Sequence, residues 1–144
     1  MKTQDYIQFA KENPVCSLAT VEGNQPHVRT VLLWFADDTG FYFVLLSPKK
    51  VSAQLKANPR AEVCFCSHPT DLVQTRQMRV TGRMELVTSP ELLARARQDR
   101  AFLSQLAGRP VDHLIEVFHL TECDAHFWAM RDILREPALE HVAI

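Results

Sequence analysis

Between Val15 and Leu46 three apolar, strand-like runs are punctuated by two tight-turn signals, Glu22-Gly23-Asn24 and Asp37-Asp38-Thr39-Gly40. Connections this short cannot carry a parallel crossover, which takes about a dozen residues or more, so the three runs must pair antiparallel. The expected strands are Val15–Val21, His27–Phe35 and Phe41–Leu46. The second alternates and then becomes continuously apolar, and the third is rich in aromatic and β-branched residues.

The remaining segments keep this β-rich character. Thr3 to Asn13 places Tyr6, Ile7, Phe9 and Ala10 on one side of a helix, which Asn13-Pro14 stops. Ser47-Pro48 predicts a capped short helix over Pro48–Ala57, ended by Asn58-Pro59. A strand over Ala61–Ser67 and a polar loop, His68–Asp71, lead to a long strand over Gln74–Val87. Ser89-Pro90-Glu91 opens a helix to Ala107 with Leu92, Ala96, Leu103 and Leu106 as its apolar stripe, stopped by Gly108-Arg109-Pro110. His113–Leu120 and Ala125–Met130 read as two further strands, and 136–144 as a tail or a strand. There is no regular strand–helix alternation, which disfavours a doubly wound sheet. Six or seven antiparallel strands in 144 residues make a β-rich α+β fold, a small barrel with flanking helices, in one domain over residues 1–144.

Composition narrows the function. A hydrophobic content of 47% excludes a disordered chain. A formal net charge of -1 gives no global bias toward nucleic acid, so any anion site must be a local cluster. The glycines, Gly23, Gly40, Gly82 and Gly108, are too far apart for a Gly-rich dinucleotide or P-loop motif. The N-terminus is polar, without a signal peptide, and no run approaches the roughly 18 apolar residues of a membrane span. A cytoplasmic protein with reduced thiols is expected, without membrane or nucleic-acid partners. Cys16, Cys64, Cys66 and Cys123 are read as buried structural thiols, since Cys64-x-Cys66 is too closely spaced for a zinc pair. The six histidines make no helical metal pair, and no metal is expected. An esterase Gly-x-Ser-x-Gly elbow is absent.

Two clusters could carry chemistry. Arg29 lies in an apolar strand, where a cation needs a partner or an anionic ligand. Lys49 and Lys50 fall in the first turn of the short helix, where cations oppose the macrodipole unless a bound anion reconciles them. The alternative is that Arg29 pairs with an acidic residue and the lysines are solvated. In the second cluster Gln77, Arg79 and Thr81 face one way and Arg76, Met78 and Val80 the other. Gln77 has the donor and acceptor to read a heteroaromatic ring, or the segment is a half-solvated edge strand. Trp34 and Trp128 suit core or interface positions as well as a cofactor platform.

Taken in order and spacing, Ser17-Leu18-Ala19-Thr20-Val21, Pro26-His27-Val28-Arg29-Thr30-Val31, Phe41-Tyr42-Phe43, Gln54 to Arg60 and Arg76 to Gly82 resemble the pyridoxamine 5'-phosphate oxidase-like FMN-binding split barrels. Glu12-Asn13-Pro14 and Ile115-Glu116-Val117-Phe118 are similar to the short flavin-nucleotide-binding members. The resemblance implies a split barrel working as a homodimer with FMN at the subunit interface. It implies Arg29 on the phosphate, Lys49 and Lys50 as a second basic pair there, and Thr30 and Val31 beside the ring system. It further implies Leu45 and Leu46 bordering the isoalloxazine, Gln77 contacting the flavin, and Trp128 near a C-terminal aromatic position. Two departures count against pyridoxine phosphate oxidation. Trp34 stands where the oxidases carry a lysine, and Ala129-Met130-Arg131-Asp132-Ile133 does not match their C-terminal Arg-x-His substrate motif. The expected function is an FMN-dependent oxidoreductase acting on an unidentified small molecule. A non-catalytic flavin carrier or sensor, a deazaflavin-type coenzyme, and a haem-binding split barrel using His119 or His126 are the alternatives.

Overall fold

In the computed structural model, which describes residues 2–144, the two turn signals join β1 (Val15–Glu22) to β2 (Gln25–Asp37) and β2 to β3 (Gly40–Leu46). The pairing is antiparallel throughout, with Leu18 opposite Arg29 and Phe41 opposite Ala36. α1 (Thr3–Glu12) precedes β1 and ends where Asn13 closes its last turn, the Asn13 side chain donating to the Phe9 carbonyl at 2.9 Å. After β3 come α2 (Lys50–Ala57), β4 (Arg60–Cys66), β5 (Arg76–Leu86), α3 (Pro90–Asp99), α4 (Phe102–Ala107), β6 (Ile115–Ala129) and β7 (His141–Ala143). The strand order is β3-β2-β1-β4-β5-β6-β7, and β3 also pairs with β6. Six strands therefore close an antiparallel barrel, and β7 extends it at one side.

Alternation decides what fills the barrel. Cys16, Leu18, Val31, Leu33, Val63, Phe65, Met78 and Val80 point inward with Phe41 and Phe43, and all are buried. Each such side chain contributes about 1.5–3 kcal/mol on burial. The continuously apolar stretch of β2 has a specific cause. A bulge between Leu33 and Phe35 shifts the register, so Ala36 returns to the core while Trp34 and Phe35 pack outside. There α3 and α4 cover them in a second cluster with Tyr42, Ala96, Ile115 and Val117. Both faces of β3 are thus covered, which is why its sequence shows no alternation.

Several boundaries differ from the sequence expectation. The short helix starts at Lys50 with Lys49 as its N-cap, and Ser47 does not cap it. Ser47 instead donates its N–H to the Leu114 carbonyl at 2.9 Å, so backbone pairing extends past β3 before the chain turns. The long strand begins at Arg76, because Leu72–Gln74 form a 3-10 turn capped by Asp71. Ser89 caps α3 as expected, but the helix is interrupted at residues 100–101. This places Leu103 in the second cluster and leaves Leu106 79% exposed, so the expected stripe does not run through. The two expected C-terminal strands are one strand, β6, which carries Glu122 at φ 54° through its polar middle. The irregularity lies opposite Gly82, where a Cβ would sit 2.6 Å from the Thr121 carbonyl. Cys16 and Cys123 are buried, whereas Cys64 and Cys66 are half-buried on the outer face of β4, so the expectation of buried thiols fails for that pair. The inward positions of β4 are Ala61, Val63 and Phe65, which leaves the intervening cysteines outside. No helix among the described residues is long and apolar enough to cross a membrane.

Candidate functional site

A cavity of about 330 Å³ opens where β2 and β3 meet the start of α2. It is lined by Thr30, Val31, Leu45, Leu46 and Lys49, all singled out from the sequence, and by Val15, Leu32, Val44 and Leu103. Thr30 and Leu32 are exposed on the outer face of β2, while Leu45 and Val31 are buried and close its floor. The lining is apolar, with one cation at the rim and the Thr30 hydroxyl as its only other polar side chain. Small-molecule clefts typically measure about 300–1,000 Å³ and combine apolar walls with a few polar groups.

Arg29 is half-buried one position before Thr30, on the opposite face of β2. Its Nη1 donates to Thr20 Oγ1 at 2.8 Å and to the Leu18 carbonyl at 3.4 Å, and its Nη2 donates to Gln54 Oε1. All three acceptors are neutral, and no carboxylate pairs with it among the described residues. Burial pulls its pKa below the ordinary arginine value, yet a guanidinium stays protonated. The result is a desolvated positive charge held in place without a counter-ion, and the alternative of an ion-paired Arg29 is not what the structure contains.

α2 links this charge to the lysines. Lys49 caps the helix and Lys50 begins it, both exposed, with no acidic residue in the first turn. One turn further on, Gln54 is buried and accepts from both Arg29 and Thr20, the latter at 2.7 Å. Sequence reasoning missed Thr20 and Gln54. Their signal was available: each occupies an inward position of an otherwise apolar face, where a polar side chain needs a partner.

Gln77 and Trp128 lie elsewhere. They are directly opposite each other in the β5–β6 ladder, and neither lines the 330 Å³ cavity. Gln77 accepts from the Cys64 thiol at 3.3 Å. Trp128 borders a separate cleft of about 210 Å³ with Tyr6, Arg76, Phe127 and Arg131. Gln77 and Trp128 thus stand apart from the cavity that the other sequence-derived residues line. Apolar side chains are exposed on the outer face of the β1–β2 ribbon, with Val28 at 72%, Val15 at 55% and Leu32 at 44%. Trp34 is occupied structurally: its Nε1 donates to Asp99 at 2.8 Å, and the Arg95 guanidinium sits 5.1 Å over its ring. His119 stacks on Tyr42 at 4.2 Å and its Nε2 bonds the Thr39 carbonyl at 2.7 Å.

A closed six-stranded antiparallel barrel extended by a seventh strand and flanked by four helices defines a split-barrel protein. The chain belongs to the pyridoxamine 5'-phosphate oxidase family, which it matches over residues 3–128. It is 40% identical over 92 residues to the pyridoxine/pyridoxamine 5'-phosphate oxidase of Azotobacter vinelandii, covering 63% of this chain and 40% of that protein. The chain thus spans about two fifths of the length of that curated relative. Among solved structures, a nimc/nima family protein from Clostridium acetobutylicum superposes with a TM-score of 0.75 at 23% identity, covering 98% of this chain and 91% of that one. An FAD-binding protein from Mesorhizobium loti gives 0.67 at 16% identity, over 90% of this chain and 96% of that one. A heme binding protein from Mycobacterium smegmatis gives 0.70 at 14% identity, over 99% of this chain and 58% of that one. Likenesses at these identities establish the fold.

Proposed function

We propose that this chain binds FMN as a homodimer and is a flavin-dependent oxidoreductase for a small molecule other than pyridoxine or pyridoxamine phosphate. The observation that carries the reading is Arg29, a half-buried guanidinium with neutral partners only, across β2 from the cleft lined by Thr30, Val31, Leu45, Leu46 and Lys49. A charge of this kind fits a phosphate monoester, and a planar heteroaromatic ring fits the apolar walls. Thr20 and Gln54 would orient the guanidinium, and Lys49 and Lys50 would add screened positive charge at the start of α2. Bound flavin would supply the hydride or electron chemistry, and the protein would supply anchoring, orientation and exclusion of water.

Two chains would complete the site. The separation of Gln77 and Trp128 from the cavity, and the exposed Val15, Val28 and Leu32, support a second copy bringing Gln77 and Trp128 to the first copy's cleft. Family membership together with the FAD-binding structural neighbour supports a flavin as the ligand. The haem reading is weakened by His119, whose Nε2 is held by Thr39. A non-catalytic carrier or sensor is the second reading, favoured by the lack of an acid–base side chain other than Lys49 in the cleft.

The absorbance spectrum of purified and FMN-reconstituted protein tests the proposal. Flavin bands are expected, and a Soret band without them would overturn it. Turnover with a reduced nicotinamide donor and artificial acceptors then separates the oxidoreductase from the carrier.

A further inference from the structure

The bend of β6 at Glu122 and the short pairing with β7 create an arrangement whose residues do not line the 330 Å³ cavity. Asp124 and His126 are two residues apart on β6 and flank the buried Ala125, so their side chains share the outer face. β7 sets His141 directly opposite His126. The carboxylate oxygen and imidazole nitrogens of the three residues all lie within 4.8 Å of one another. His141 Nδ1 and Asp124 Oδ2 are 2.6 Å apart, and the two imidazoles stack at 4.4 Å with 22° between their planes.

We propose that Asp124, His126 and His141 form a binding site for a divalent transition-metal ion of the zinc class. Two imidazoles and one carboxylate are the donor set that suits zinc and its neighbours, whereas magnesium and calcium want oxygen ligands only. Metal–donor bonds of about 2.0–2.2 Å place neighbouring donors on a tetrahedral ion roughly 3.3–3.5 Å apart. The donors lie within 4.8 Å of one another, with one pair at 2.6 Å, so side-chain rotation must widen that pair as an ion enters. Asp124 and His141 are exposed, so their bond to each other can open without disturbing the core. Their backbone is not free to drift, because Cys123 and Ile144 exchange two N–H to carbonyl bonds of 3.0 Å beside the ladder. The nearest cation, Arg79, is paired with Glu62 at 2.5 Å and Glu136 at 3.2 Å, which offsets its repulsion of a bound ion. Coordination by His141 Nδ1 takes the place of its bond to Asp124, any proton on that nitrogen being released to solvent, and a fourth position stays open to water.

Zinc and cobalt(II) titrations of the full chain test the site. One ion per chain is expected, and cobalt(II) should give visible ligand-field bands without the near-ultraviolet charge-transfer band of a thiolate. Asp124→Asn, His126→Ala and His141→Ala should each weaken binding by at least about tenfold, since even groups supporting a ligand contribute that much. Circular dichroism confirms that each variant is folded. In the wild-type protein, zinc should shift the imidazole resonances of His126 and His141 and leave those of His27, His68, His113 and His119 in place. Absence of binding, a thiolate band from Cys64 or Cys66, shifts confined to the other histidines, or full affinity in folded variants would each overturn the proposal.

Discussion

Arg29 reaches from β2 to β1 and donates through Nη1 to Thr20 Oγ1 at 2.8 Å. The hydroxyl in turn donates to Gln54 Oε1 at 2.7 Å, so a strand, its neighbour and α2 fix one guanidinium. Removing Arg29 leaves the Thr20–Gln54 bond in place, so a variant is expected to fold.

Arg29→Ala should therefore act mainly on phosphate binding. A lost charge-assisted contact of about 1.5–3 kcal/mol corresponds to a weakening of FMN affinity by roughly 10- to 100-fold. Riboflavin, which lacks the phosphate, should bind the variant almost as it binds the wild type. Lys49→Ala and Lys50→Ala should cost less, and their effect should shrink as salt is raised. Fluorescence titrations of both ligands at low and high salt check this, and equal losses for FMN and riboflavin would contradict it.

A site shared between two chains, as proposed above, predicts complementation between chains. Arg29→Ala damages the cleft half and Gln77→Ala the opposite half. Neither homodimer then has an intact site, but a randomly exchanged mixture regains full-affinity binding in about one site in four, as a two-fold dimer requires. Mixing denatured and refolded variants and counting tightly bound FMN measures this. A mixture no better than its parents would place Gln77 outside the site or the whole site within one chain.

The position of Trp34 predicts the substrate that the FMN-loaded protein rejects. Trp34 is fastened to Asp99 and covered by Arg95, and the segment after Trp128 turns through a 3-10 helix at Met130–Asp132. Neither offers the side chains of an oxidase substrate site. Oxygen consumption with pyridoxamine or pyridoxine phosphate should stay at background, and efficient turnover of either would refute the assignment.

The barrel was readable because its strands are bounded by turn chemistry and its inward positions alternate, as Cys16, Leu18 and Thr20 do. What escaped was set by contacts distant in sequence. The bulge after Leu33 depends on α3 lying outside β2, and the continuity of β6 depends on Gly82 in the neighbouring strand. Ser47 resembled a helix cap by its Pro48 neighbour, but the Leu114 carbonyl took its N–H. Thr30, Val31, Leu45, Leu46 and Lys49 line one cavity, while Gln77 and Trp128 stand apart on the same chain. His141 meets His126 only through β7 pairing, which no local spacing reveals.

Alkylation should sort the cysteines by strand face. Burial pushes the thiols of Cys16 and Cys123 up to about 12, so neither yields thiolate at neutral or mildly alkaline pH. Cys64 and Cys66 are only half-buried on the outer face of β4. Under native conditions mass spectrometry should find label on Cys64 and Cys66 first, with Cys16 and Cys123 labelled only on unfolding. Early modification of Cys16 or Cys123 would contradict the barrel packing.

Gly40 should be among the least replaceable residues of the chain. It opens β3 at φ +129°, a conformation that L side chains rarely adopt. A Cβ there would lie 2.2 Å from the Leu120 carbonyl oxygen and 3.0 Å from His119 Nε2. The first obstacle is backbone in the β3–β6 ladder and cannot rotate away, while the second is the imidazole that bonds Thr39 and stacks on Tyr42. Gly40→Ala must therefore strain φ, costing about 1–3 kcal/mol, and also push β3 from the strand that closes the barrel. Gly23→Ala is the control, since Gly23 also has positive φ but nothing within 4 Å of its added Cβ. Thermal and urea unfolding should show the larger loss for Gly40→Ala. Equal losses for the two variants would mean that φ strain alone accounts for the effect and that the close approach of β3 to β6 is relaxed in solution.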